Sequence, residues 1–388
     1  MNQSEKKIQL AVVIPTFNRS ENLRECIRHF DKQIVPDHVE LSLVISNTAS
    51  TDDTPQMLDQ LLESRRDLHV TNTMLDWEDG NYGGMLNALP EKIDWIWLMG
   101  DDDQFVSPNS VSKISRLISK NATNDNFAFI HACDSKRSKN TGKVYCDTTF
   151  NMCKKFGYLE MLGWFTSLVV RKSEFVQAVA DCEKARQSYQ NHTLANKPYS
   201  AFFHSGYFFQ YLHEKDAAFL DEPLVCEQIA SDKNKTADRW RDANTGERYL
   251  FIADDFQRLK DENINLANLP SQFFKYHKYH LWDRLMSFQI DATLELAELN
   301  EKVAIQSYLT RFLQNWSRVE FIATLLLRTE TQKWLIITSR LIKANCLALL
   351  HKPHDKNIVK LLKETRELLT LNCYDYQIDF SEAEIFRK

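Results

Sequence analysis

Apolar residues open the chain as a short run, IQLAVVI from Ile8 to Ile14, which stops at Pro15 and gives way to polar positions. Such a run, ended by a turn residue, predicts a buried strand. From Ser20 the apolar period changes: Leu23, Ile27 and Phe30 recur at helical steps, so a helix follows. The cycle repeats with a strand from Leu41 to Ser46 and a loop with capping residues from Ser50 to Pro55. A helix comes next, with Met57, Leu58, Leu61 and Leu62 on its apolar side. A third strand is expected at His69 to Thr73 and a fourth, DWIWLM, at Asp94 to Met99. Further strands are expected at Phe127 to Ile130, Ser167 to Arg171 and Ala217 to Leu220. Strands alternating with helices imply a Rossmann-like α/β fold, a mainly parallel sheet with helices on both faces.

The strand signal ends near residue 230. Residues 231–246, SDKNKTADRWRDANTG, are polar and almost without aliphatics, and read as a linker. Beyond it, Ile305, Leu309, Phe312, Trp316, Val319, Ile322 and Leu326 recur at steps of three and four, and no glycine follows Gly246. That is the pattern of a helical domain. The organisation predicted is an α/β domain over 1–230, a linker over 231–246 and a C-terminal α-helical domain over 247–388. A length of 388 residues suits two folding units.

Charge and cysteines narrow the function classes. A formal charge of −5 with no basic arm gives no reason to bind nucleic acid. The eight cysteines show no CxxC pair, as expected of free thiols in a reducing compartment. The opening apolar run is too short for a secretory signal, and no window reaches the roughly 18 apolar residues of a spanning helix. A cytoplasmic location is therefore expected. Between Trp334 and Lys363 an aliphatic stripe accompanies Arg340, Lys343, Lys352, Lys356, Lys360 and Lys363 against the single acid Asp355. A basic amphipathic surface of this kind would rest on an anionic membrane as a peripheral contact. Packing within the helical domain or at a homodimer interface explains the stripe as well.

In a parallel α/β sheet ligands sit beyond the carboxyl ends of the strands, where loops and helix N-termini converge. Thr16-Phe17-Asn18-Arg19 follows the first strand, Asn47-Thr48-Ala49-Ser50 the second, and Asp101-Asp102-Asp103 the fourth. Three successive carboxylates at the tip of a buried strand repel one another unless a cation neutralises them. Mg2+ or Mn2+, which take oxygen ligands and share their coordination with phosphates, suit that position. The plainer reading is that the acids cap the turn after the strand.

These segments together carry a resemblance. AVVIPTFNRSENLREC at 11–26, ASTDDT at 49–54, Asn81-x-Gly83-x-x-x-Asn87 and WLMGDDD at 97–103 resemble, in order and spacing, the motifs of the family 2 glycosyltransferases of the GT-A fold. The likeness covers residues 8–230, and the Gly-Asp-Asp-Asp form is most similar to bacterial transferases of the abequosyltransferase type. The resemblance implies a transferase, inverting in mode, that takes its sugar from a nucleoside-diphosphate sugar with Mn2+ or Mg2+ as cofactor. The acceptor would be a glycan or a lipid-linked hydroxyl of a bacterial surface polysaccharide. Pro15, Thr16, Phe17, Asn18 and Arg19 would line the nucleotide pocket. Asn81, Gly83 and Asn87 would approach the sugar and phosphates, and Asp101 and Asp103 would hold the metal, with Asp103 the more direct ligand. Asp102, on the other side of an extended segment, would meet the sugar hydroxyls.

Two positions depart from the family pattern. Asn47 stands where an aspartate usually accepts from the base, and an amide both donates and accepts, so the preference for uridine is open. The usual Glu-Asp pair that supplies a general base falls near His204-Ser205. His204 would serve as base, its ordinary pKa lying near neutrality; were it instead a core residue between aromatics, Asp102 or an acid of the linker would take its place, or the reaction would be retaining. Arg239 of the linker would close over the diphosphate. A non-catalytic nucleotide-sugar-binding subunit is the rival reading. A nucleotidyltransferase is disfavoured because PTFNRSEN carries no glycine-rich phosphate loop.

Overall fold

Strand β1 (Ile8–Thr16) is buried along nearly its whole length, because it lies in the middle of a sheet covered on both faces. The computed structural model describes residues 7–73, 82–188 and 203–228, with isolated helical positions at 339, 343, 360, 361, 363 and 364. After β1 come α1 (Ser20–Asp31), β2 (Val39–Thr48), α2 (Thr54–Ser64), β3 (Leu68–Thr73), α3 (Tyr82–Ala88) and β4 (Trp95–Leu98). A short β5 (Asp103–Phe105) leads to α4 (Ser110–Lys120), β6 (Phe127–Asp134), β7 (Val144–Thr148), α5 (Thr149–Phe156) and α6 (Tyr158–Leu162). The described part closes with β8 (Leu168–Arg171), α7 (Lys172–Ser188), α8 (Phe203–Leu212) and β9 (Asp216–Glu227). The sheet order is β3-β2-β1-β4-β8-β6-β9-β5, with β7 beside β9.

The expected α/β architecture is present, as a mixed sheet. β3, β2, β1 and β4 run parallel, so their carboxyl ends share one edge, while β8 is antiparallel to both β4 and β6. The elements absent from the sequence-based expectation are β5 and β7. β5 has three residues and β7 shows a largely exposed face, so neither carries an apolar signal. β9 also runs beyond its expected end at Leu220, continuing past Pro223 where its pairing with β6 shifts register. A proline fits there because the ladder is already interrupted.

Alternation decides which strand residues meet which helices. Leu10, Val12 and Ile14, Leu43 and Ile45, and Trp95, Trp97 and Met99 form one core face with Leu23, Ile27 and Phe30 of α1, Met57 and Leu58 of α2, and Val111, Ile114 and Leu117 of α4. Ala11, Val13, Val44, Ile96 and Leu98 alternate with them and are fully buried too. Trp97 anchors the centre: its indole N–H donates to the Thr166 carbonyl at 3.0 Å, and its ring meets Phe105 edge-on at 4.9 Å.

His131 of β6 is buried between strands, and its Nδ1–H donates to the Met161 carbonyl at 3.0 Å. Burial, reinforced by the Arg137 charge and opposed by that hydrogen bond, pushes its pKa down to about 3. The unfolded chain therefore binds a proton near pH 6.5 that the folded chain refuses. The stability contributed by neutral His131 is present above about pH 6.5 and is lost as pH falls toward about 3. In urea titrations across that window, the midpoint of the wild type is expected to fall more steeply than that of His131→Phe. Equal slopes would remove His131 as the cause.

Chain contacts divide the molecule into two units, one of Met1–Lys197, Phe202–Ile229 and Tyr376–Lys388, the other of Pro198–Ala201 and Ala230–Asp375. The expected linker at 231–246 lies outside the described residues, as does the helical domain apart from the isolated positions above. Of its basic stripe, Lys343, Lys360 and Lys363 are described and exposed. Among the described residues no helix is long and apolar enough to cross a membrane, and the six described cysteines are free thiols.

Candidate active site

At the carboxyl edge of the sheet the buried alternation of apolar residues turns polar on the same face. Ile14 is followed two positions on by Thr16, Ile45 by Asn47, Val70 by Asn72 and Met99 by Asp101, and the register pairs Thr16 with Asn47 and Asn47 with Asn72. Asn47 donates from Nδ2 to Asn72 Oδ1 at 2.8 Å, and Thr16 donates from Oγ1 to Asp101 Oδ2 at 2.8 Å. A polar row thus crosses four adjacent strand ends, spanning three gaps of about 4.8 Å.

The row ends in the acidic turn. Arg19, at the start of α1, brings one guanidinium nitrogen, Nη1, to Asp101 Oδ1 at 2.8 Å and to Asp102 Oδ2 at 2.9 Å. Burial works against the arginine charge, but the two carboxylates outweigh it and raise its pKa. Asp101 is buried, and loss of water pushes its pKa up to about 6 even though Arg19 and Thr16 pull it down. Asp103 is buried as well, and burial together with the charge of Asp102 holds its pKa well above the carboxylate range despite a hydrogen bond from Thr166. Asp102 differs from both, with 53% of its side chain exposed. Two of the three acids therefore share one guanidinium while the third is buried against Thr166, an acid-rich turn whose charge a divalent cation would balance.

The acidic turn is held from several sides. The Thr166 hydroxyl accepts from the Gly100 N–H at 2.9 Å and donates to Asp103. The Gln228 side-chain amide nitrogen lies within 3.1 Å of the carbonyls of Asn22, Asp101 and Asp103, while its backbone N–H donates to the Asp102 carbonyl at 2.9 Å. Gly100 is required by space: a Cβ there would stand 2.6 Å from Asp103 Oδ2 and 3.0 Å from Asp102 Oδ1.

The two loops that flank the row are clasped together. Asn18 adopts the left-handed region at φ 52°, which asparagine tolerates, and its Oδ1 accepts from the Thr51 N–H at 2.7 Å. Its own N–H donates to Ser50 Oγ at 2.9 Å. Asp52 accepts from the first backbone N–H of α1, Ser20, and from that of α2, Thr54, each at 3.0 Å, so one carboxylate caps both helices. Burial opposes its charge, but these hydrogen bonds prevail and lower its pKa. Ala49 is also left-handed, at φ 47°, in the place where the resembling motif has glycine.

The structure joins Thr16, Arg19, Asp101 and Asp102 in one network and pairs Asn47 with Asn72. Pro15 and Phe17 are half-buried beside it, and Asn18 is occupied by the neighbouring loop. Gly83 and Asn87 lie one turn apart on α3, with Asn87 exposed. His204 is the second residue of α8, and Asn81 and Arg239 lie outside the described residues. Asn72, Thr166, Asp52 and Gln228 were not anticipated. Asp52 could have been found from its place in ASTDDT before a helix and Asn72 from its place at the end of the third strand, whereas Thr166 and Gln228 act across long stretches of chain and leave no local signal.

Among the described residues no three His, Cys, Asp or Glu side chains converge as a complete metal cage. The donor set instead fits an ion held by one or two carboxylates and completed by phosphate oxygens, the usual manner of Mg2+.

Residues 11–172 match the family model described as glycosyl transferase family 2. The chain is similar to the solved structure of S. aureus TarS 1-349 in complex with UDP-GlcNAc, with 13% identity over 93% of this chain and 92% of that one and a TM-score of 0.50. It is also similar to the mannosyltransferase PcManGT from Pyrobaculum calidifontis in complex with GDP-Man and Mn2+, with 13% identity over 89% and 88% of the two chains and a TM-score of 0.47. No curated protein matches the chain. The α/β unit has the GT-A fold, with its polar row at the carboxyl edge of the sheet.

Proposed function

We propose that the chain is a metal-dependent glycosyltransferase that moves a sugar from a nucleoside-diphosphate sugar to an acceptor hydroxyl. One observation carries this reading: the polar row from Asn72 through Asn47 and Thr16 to Asp101, Asp102 and Arg19, whose length of roughly 14 Å is on the scale of a nucleoside diphosphate. The amide end suits a base, and the end bearing carboxylates and a guanidinium suits a diphosphate with its cation. The match of residues 11–172 to the family 2 model supports the same reading.

Asp102 is the primary metal ligand in this proposal, with Asp101 beside it. The exposure of Asp102 and the burial of Asp103 against Thr166 favour this over a leading role for Asp103. Asp102 and Asp101 would hold a cation there, which would supply charge stabilisation to a departing nucleoside diphosphate. Arg19, already within reach of both acids, pairs with phosphate oxygens as the leaving group forms. Asn18 and Asp52 position the loops around the nucleotide.

His204 is the proposed base. It takes the acceptor proton as the hydroxyl oxygen attacks the anomeric carbon and the bond to the β-phosphate oxygen breaks, which gives inversion. Its neighbour Ser205 lies 3.4 Å from the Tyr158 hydroxyl, so the first turn of α8 sits beside α6, and the chain from α6 leads directly to Thr166 at the acidic turn. The sugar is a hexose or deoxyhexose and the acceptor a bacterial surface glycan, as the Gly-Asp-Asp-Asp resemblance suggests.

A thermal-shift screen of UDP-, GDP-, CDP- and dTDP-sugars, each with and without Mn2+, tests the reading. Ligands that bind only the native state raise its unfolding temperature. A rise is expected with nucleotide and Mn2+ together and a smaller one with either alone. Absence of any nucleotide-dependent rise would overturn the proposal.

A further inference from the structure

The backbone of the acidic turn is tied down by one residue from far along the chain. β5 and β9 pair antiparallel with Asp103 opposite Glu227, so the next residue, Gln228, is carried over the turn itself. Its backbone N–H donates to the Asp102 carbonyl at 2.9 Å. Its side-chain Nε2 lies 3.1 Å from the carbonyls of Asp101 and Asp103 and 3.0 Å from that of Asn22 in α1. Three carbonyls around one atom require a donor there, and the other amide atom, Oε1, accepts from Asn22 Nδ2 at 3.3 Å, so the amide has one orientation. Its two N–H groups are shared among the three acceptors. One half-buried glutamine thus engages the carbonyl oxygens of all three aspartates.

We infer that Gln228 is a positioning residue for the cation, acting through the backbone of the acidic turn. The inference rests on the metal-dependent reading above and goes beyond it by assigning a residue outside the polar row. With their carbonyls tied to Gln228, Asp101 and Asp102 have their carboxylates left to offer an ion. Asp102 depends on this most: its carboxylate is half exposed and its side-chain partner is Arg19, so its direction follows its backbone. The clasp also joins the turn to α1 through Asn22, the helix that begins beside Arg19, so the acids and their guanidinium are held in one frame. Hydrogen bonds that orient the groups carrying metal ligands are worth about 10–100-fold in metal affinity.

Titration of the full chain with UDP, GDP, CDP and dTDP, each with and without Mn2+, tests this on the wild type, Gln228→Ala and Gln228→Met. Methionine keeps the backbone N–H and nearly the volume of glutamine but removes the side-chain donor. In both variants the affinity for nucleotide without metal is expected to stay within about threefold of the wild type. The gain in that affinity conferred by Mn2+ is expected to fall by about tenfold or more. A residue that merely supports the fold would lower the two affinities alike, leaving the gain intact. A wild-type gain in either variant, or equal losses with and without Mn2+, therefore overturns the assignment. If the wild type itself shows no Mn2+-dependent gain with any of the four nucleotides, the metal-dependent reading falls, an outcome distinct from a gain that survives the substitutions.

Discussion

Turnover of Asp102→Asn is expected to fall by on the order of 10²–10³-fold, the effect of removing several kcal/mol of transition-state charge stabilisation. Its unfolding midpoint should stay at the wild-type value. The reason is the unequal burial of the three acids: Asp102 is 53% exposed and among the described residues its carboxylate pairs with Arg19, and an exposed ion pair contributes about 1 kcal/mol or less. Asp103→Ala is the comparison that gives the result meaning. It leaves the buried Thr166 hydroxyl without its acceptor and loosens the turn at Gly100, so activity and stability should drop together, stability by about 1–3 kcal/mol. Sugar transfer at saturating Mn2+ and urea midpoints measured on both variants separate a ligand from a support. If Asp102→Asn keeps full activity while Asp103→Ala loses activity alone, the assignment of the metal to Asp102 is wrong.

Gly100→Ala should cost about 1–3 kcal/mol of stability and weaken Mn2+-dependent nucleotide binding by about tenfold or more. The added methyl would stand 2.6 Å from Asp103 Oδ2 and 3.2 Å from its Cγ, closer than packed atoms allow. That carboxylate cannot swing aside without breaking the bond from Thr166, which also accepts from the Gly100 N–H. The backbone of the turn must move instead, and the exposed Asp102 moves with it, away from Arg19. Titration with UDP and Mn2+ and urea unfolding provide the check. Wild-type affinity in a destabilised variant would show that the position of Asp102 does not depend on the turn.

Much of the architecture was legible because burial writes itself into local periodicity. β1, β2 and β4 are central strands covered on both faces, so IQLAVVI and DWIWLM stand out as apolar runs, and α1 shows its buried face in Leu23, Ile27 and Phe30. β5 and β7 were illegible for the opposite reason, being too short or too exposed to need apolar residues. The strand-end rule also pointed to the residues that form the hydrogen-bonded row: Thr16, Arg19, Asn47 and the acidic triplet all lie where parallel strands end.

From its residues alone this protein was determined to be an α/β sheet with acids and amides at one edge, since strand period and strand-end chemistry are properties of neighbours in the chain. Only the tertiary structure decided how the three aspartates differ. Arg19, Thr16, Thr166 and Gln228 approach the acidic turn from distant segments and assign burial, hydrogen bonds and charge to each acid separately. Alternation along the chain sets Asp102 apart from Asp101 and Asp103, but through-space electrostatics depends on distance and exposure, so which side is buried and which partners each acid meets is not written in the order of the residues.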